Sequence, residues 1–109
     1  RASLLVVAIR VAADPLGTPY PHADYDTGQA IAHLQVQAAN LGLASRQMGG
    51  FDAARLAELF GLPESYAAVT VTAVGLAGRL EDLDEETIER ELAPRVRMPL
   101  DELVLVRDR

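Results

Sequence analysis

The chain has no cysteine and only two histidines in 109 residues. Without cysteine there is neither a disulfide framework nor a thiolate metal site, which agrees with the cytoplasmic location we expect. His22 lies in a proline-rich stretch and His33 in an apolar helical one. Neither stands at ligand spacing from another histidine or a carboxylate pair, which speaks against a metal site. A basic excess is also missing. The net charge of -6 argues against general nucleic-acid binding, since phosphate contact needs a basic face. No apolar run approaches the roughly 20 residues of a membrane span, so no membrane contact is expected. The opening RASLLVVAIR starts basic, but its apolar run is short and valine-rich and no small-residue cleavage pattern follows it, so it does not read as a signal peptide. GxGxxG, P-loop and GxSxG motifs are absent, as are internal repeats and low-complexity tracts. This excludes a Rossmann dinucleotide site and gives no support to hydrolytic catalysis. Nor does a methionine precede Arg1, which stands just before an apolar run. We therefore expect that a preceding segment has been removed.

What is present fits one modest domain spanning 1–109. Leu4 to Ile9 is continuously apolar and predicts a strand covered on both faces. Residues 12–24 carry Pro15, Gly17, Pro19 and Pro21 and predict a loop. A long helix should follow, with Asp26 as its cap and Gln29 completing a capping-box spacing. Ile31, Leu34, Ala38 and Leu41 recur at helical spacing, and small apolar residues fill most other positions, so this helix is expected to be buried nearly all round. Gly42 is suited to end it.

Leu43 to Met48 predicts a short strand, and Asp52 predicts the cap of a second helix with Leu56, Leu59 and Phe60 facing inward. Gly61 and Pro63 stop that helix. Ala67 to Gly75 is a strand with no charge on either face, and so a central one. A short acidic helix capped by Asp84 and closed by Pro94 comes next, with Leu83 and Ile88 at staple positions. The acidic cluster Glu81 to Glu91 reads as a solvated face. Residues 101–106, DELVLV, predict a helical turn running into a last strand.

Two constellations carry chemistry. Gly49-Gly50 lies between a strand end at Met48 and a helix start at Asp52. Two residues without Cβ let a backbone approach a flat ligand and donate N–H groups to it, although a tight turn with positive φ would use the same pair. Arg95 and Arg97 stand two apart in an extended segment. Both guanidinium groups can converge there on one anion such as a phosphate monoester. The same two arginines also suit plain solvent exposure, or pairing with Glu89 or Glu91.

In this order the pieces resemble the C-terminal half of the nitroreductase family, the FMN-dependent NAD(P)H oxidoreductases. The residues that carry the likeness are Tyr25-Asp-Thr-Gly-Gln-Ala30, Gln37-Ala-Ala-Asn-Leu-Gly-Leu43 and Gln47-Met-Gly-Gly-Phe-Asp52. It continues through Leu59-Phe-Gly-Leu-Pro-Glu64 with Tyr66, Ala73-Val-Gly75, and Ala93-Pro-Arg-Val-Arg97 before Pro99-Leu100. The resemblance implies an α+β fold, the nitroreductase-like α/β sandwich, with a mixed sheet flanked by helices. It implies FMN as cofactor and NAD(P)H as co-substrate, with hydride passing through flavin N5 to a nitro, quinone or similar acceptor. The Gly49 and Gly50 N–H groups would reach the N5 and O4 region, Gln47 and Met48 would line the ring, and Arg95 and Arg97 would hold the phosphate. Since the flavin does the chemistry, no catalytic side chain is implied. A homodimer with flavin at the interface is implied too, with the missing N-terminal half of the same protein as a further partner. The alternative is a non-catalytic flavin- or partner-binding relative.

Overall fold

The computed structural model describes residues 2–104, and the chain divides into two compact units, 1–77 and 78–109. The first unit is built on three strands, β1 (Leu4–Val11), β2 (Ala44–Met48) and β3 (Tyr66–Gly75), in the order β1-β3-β2. β3 is central, as its uncharged faces predict, and both of its pairings are antiparallel. Leu4, Val6 and Ala8 stand opposite Val74, Thr72 and Thr70 on β1, and Ser45 and Gln47 stand opposite Val74 and Thr72 on β2. The register then slips. Ala8 pairs with Thr70 but Ile9 with Ala68, so Val69 has no partner and the ladder carries a bulge.

Helix α1 (Ala23–Asn40) packs against β1 and β2. It begins four residues before the position the sequence suggests: His22, not Asp26, is the N-cap, without a side-chain bond, and Asp26 lies in the first turn, where its carboxylate favours the positive helix end. Its other end follows expectation. Gly42 takes a φ of 74°, and the Gly42 and Leu43 N–H groups donate to the Ala39 and Ala38 carbonyls in a Schellman closure. Helix α2 (Ala53–Phe60) is capped by Asp52, which accepts from the Arg55 N–H at 2.9 Å, and ends on Gly61 at a φ of 59°.

Three burial expectations are corrected. Among the described residues β1 is an edge strand, with Leu4 and Leu5 largely exposed, and not a strand covered on both faces. In α1 only Ile31 and Ala38 are buried, while Val36 is 68% exposed. In α2 the inward face is Leu56 and Ala57, both half-buried; Leu59 and Phe60 are 79% and 60% exposed. The cause is common to all three. With only three strands and two helices in this unit, each helix is covered on one side and the outer ends of β1 are left open, so apolar residues away from the packed sides keep their contact with water. The buried core is Ala8, Ile31, Ala38 and Val74, with Thr72 as a fully buried polar member.

The second unit holds a single turn at Leu80–Asp82, helix α3 (Glu85–Leu92) and helix α4 (Leu100–Leu103). Asp84 caps α3 by accepting from the Thr87 N–H at 2.8 Å and the Thr87 hydroxyl at 2.9 Å. α4 is the expected helical turn. The strand predicted beyond it lies outside the described residues.

Candidate functional site

Gly49 and Gly50 follow β2 directly, with Phe51 half-buried and Asp52 opening α2. A strand pinned to β3 on one side and a capped helix on the other fix both ends of this loop. Neither glycine has a positive φ, so the turn reading, which would require one, does not hold. A Cβ built on either would meet nothing within 4 Å. Glycine at these positions therefore serves neither the backbone conformation nor the packing of this chain. Both are exposed, with the loop surface open to an approaching group.

Gln47 and Met48 belong to β2 and not to the loop, pairing with Thr72 and Val71. Consecutive strand residues point to opposite faces, so the two side chains flank different sides of the sheet. Only Gln47 shares the side of the sheet on which Thr72 and Val74 are buried. Arg95 and Arg97 lie in the second unit, in the stretch without regular structure between α3 and α4, and both are exposed. Arg97 Nη1 donates to the Val96 carbonyl at 2.9 Å, a bond within its own backbone segment that leaves its other donors available.

Three features were not singled out from the sequence. The Thr70 and Thr72 hydroxyls are buried and, among the described residues, have no hydrogen-bond partner. Their signal was visible as two threonines two apart in an otherwise apolar central strand. A cavity of about 510 Å³ opens between the second half of β1 and the first turns of α1, with Ile9, Val11 and Ile31 as apolar lining and Tyr20, His22 and Asp26 as polar neighbours. The third is the Asp14 turn. The Asp14 carboxylate accepts from the Thr18 and Leu16 N–H groups, each at 2.8 Å, and these bonds, Thr18 first, hold its pKa below the usual 3.8. Among the described residues no cluster of histidine, aspartate and glutamate is arranged to hold a metal ion, and no helix is long and apolar enough to cross a membrane.

The nitroreductase family profile matches residues 2–76, and the chain belongs to the nitroreductase family. The match covers the sheet, α1, α2 and the glycine loop, and ends before Arg95 and Arg97. Among solved structures, an oxidoreductase containing FMN superposes with a TM-score of 0.86 at 28% identity, over 95% of this chain and 54% of its own. A nitroreductase family protein from Clostridium difficile 630 superposes with a TM-score of 0.66 at 27% identity, over 94% of this chain and 58% of its own. An uncharacterised 15.4 kDa protein in the ask 5′ region of Mycolicibacterium smegmatis is 38% identical over 82 residues, 75% of this chain and 55% of its own. The chain thus spans about half the length of the relatives it matches. The expected α+β, nitroreductase-like fold is the observed one, except that the sheet of the described residues is antiparallel throughout and not mixed.

Proposed function

We propose that this chain is part of an FMN-dependent oxidoreductase and supplies the glycine loop that meets the flavin ring. The observation that carries this reading is Gly49-Gly50, glycines that neither their dihedrals nor their neighbours require. An exposed pair without Cβ suits a flat ligand lying on the backbone, where N–H groups donate to its acceptor edge. Bound FMN would supply hydride exchange between NAD(P)H and a nitro, quinone or similar acceptor. The chain's own part is to orient: the Gly49 and Gly50 N–H groups fix the edge of the ring, and Gln47 or Met48 borders it on the side each faces. In the second unit, Arg95 and Arg97 offer two guanidinium groups to a phosphate, a pairing that is charge-assisted and, for arginine, bidentate. On this reading the working form is a cytoplasmic homodimer, together with a further polypeptide corresponding to the rest of the relatives' length.

The test is a visible absorption spectrum after incubation with FMN and desalting, on protein of known intact mass. A retained flavin band, lost or weakened in Arg97→Ala, supports the ring and phosphate assignments together. Retention unchanged in Arg97→Ala removes the phosphate assignment. Absence of the band with the remaining polypeptide restored removes the flavin reading. Retention without NAD(P)H consumption points to the non-catalytic relative.

A further inference from the structure

Thr72 is 0% exposed, and among the described residues its hydroxyl has no hydrogen-bond partner. A buried hydroxyl left unpaired costs about 1–3 kcal/mol, so it points to a partner side chain that can swing into place. Within the sheet, the register limits who that can be. Directly across on β1 stands Val6 and directly across on β2 stands Gln47. Along β3 the same-face neighbours are Val74 and Thr70. Thr70 is two residues away, about 7 Å along the strand, too far for hydroxyl to meet hydroxyl. Gln47 is therefore the one polar side chain directly opposite. Cβ atoms of facing residues lie about 5 Å apart, well within the reach of a glutamine.

Donor and acceptor chemistry then sets the direction. The Thr72 O–H is a donor in search of an acceptor, and the carboxamide of Gln47 has one acceptor, Oε1, and two donors on Nε2. If Oε1 is held against the sheet by Thr72, the Nε2 donors are turned outward. Gln47 lies two residues before Gly49, on the same side of the strand's alternation and about 7 Å along it. We propose that Thr72 is a positioning residue: its hydroxyl binds Gln47 Oε1 and presents the Nε2–H groups to an acceptor-bearing planar ligand on the Gly49-Gly50 loop. The ligand half of this statement rests on the flavin reading above; the Thr72–Gln47 pair does not.

The experiment has two arms that fail separately. In the protein without ligand, nuclear Overhauser contacts are sought between Thr72 and the Gln47 side-chain amide protons, and a double-mutant cycle of Thr72→Val and Gln47→Ala is measured by urea unfolding. Contacts should be seen, and Thr72→Val should lower the folding equilibrium constant at least about threefold with Gln47 present but not in the Gln47→Ala background. Thr72→Ser, which keeps the hydroxyl, should show no such loss of coupling. Absence of any Thr72–Gln47 contact overturns the proposal whether or not the variants fold. So does a Thr72→Val effect that is the same in both backgrounds. In the second arm FMN is added to the protein assembled with its remaining polypeptide. Thr72→Val should weaken flavin retention and shift the flavin band as Gln47→Ala does, without further loss in the double variant. A coupled pair with no flavin retained by the wild type overturns the flavin reading and leaves the pair. Retention altered by Gln47→Ala but not by Thr72→Val overturns the positioning role.

Discussion

At the scale of single residues, the glycines separate into two kinds that the sequence writes identically. Gly42 and Gly61 stand at φ values of 74° and 59° and close helices, so a Cβ there is strained whatever the space around it. Ala at either should destabilise by about 1–2 kcal/mol, the cost of left-handed backbone for an L side chain. Gly49 and Gly50 have neither a positive φ nor a neighbour within 4 Å of a built Cβ. Ala there should leave stability unchanged or raise it by about 0.4–1 kcal/mol, through the unfolded chain. The same substitution should sharply reduce FMN retention by holding the ring off the backbone. Urea unfolding and desalting of the two pairs of variants would check both statements. A Gly49→Ala or Gly50→Ala protein that loses stability and keeps FMN would reverse the assignment. The pair was legible as a special place in the sequence, but the dihedrals were not. A glycine that φ requires and one that φ does not require look alike until the backbone is seen.

At the scale of elements, local chemistry decides the ends and packing decides the faces. Asp52 and Asp84 each accept from the N–H three residues on, at 2.9 and 2.8 Å. Asp52→Ala should cost about 1 kcal/mol, the usual worth of a cap, measured by thermal or urea unfolding. For Asp84, the Thr87 N–H and then the Thr87 hydroxyl hold the pKa below 3.8. The folded value being the lower one, its stabilisation is complete above 3.8 and is lost as pH falls through the folded value. Amide protection factors in the first turn of α3, taken relative to the intrinsic exchange rate at each pH, should therefore fall as pH drops through that value. Asp84→Asn, which retains an accepting oxygen but no titration, should flatten that dependence; an unaltered profile would place the titration elsewhere.

Both caps, the Gly42 and Gly61 stops and the central place of β3 were readable, because each depends on residues close in sequence or on a strand's own lack of charge. The faces of α1, α2 and β1 were not. Leu59 and Phe60 sit at helical spacing from Leu56, yet of the three only Leu56 is half-buried, and periodicity says which residues share a face without saying that anything covers it. Asp26 failed as a cap because the helix starts earlier: His22 is the N-cap, and Asp26 lies with Asp24 inside the first turn.

At the scale of the whole molecule, the exposed apolar residues and the relatives' lengths bear on one question. Leu5, Val7, Val71, Ala73 and Met48 share one face of the sheet by register, and Leu5 is 62% exposed. Arg46 stands on the same face opposite Ala73, and Val7, Val71 and Ala73 are half-buried, so the exposed apolar side chains there are Leu5 and Met48. Exposed apolar residues grouped on one face are a feature of interaction surfaces. The relatives that this chain matches over 54% and 58% of their length carry nearly as much polypeptide again beyond the match. If the proposed assembly with a second copy and a further polypeptide uses this face, the isolated chain should associate with itself as concentration rises, for want of its proper cover. Sedimentation velocity should show a coefficient that increases with concentration. Leu5→Glu adds a charge at an exposed position, so it costs little folding stability yet would have to be desolvated in any contact across that face. It should suppress the increase without lowering the urea midpoint by more than the usual scatter of a surface substitution. A wild-type coefficient that does not change with concentration, or one that rises equally in Leu5→Glu, would show that this face of the sheet is not where the chain meets its partners.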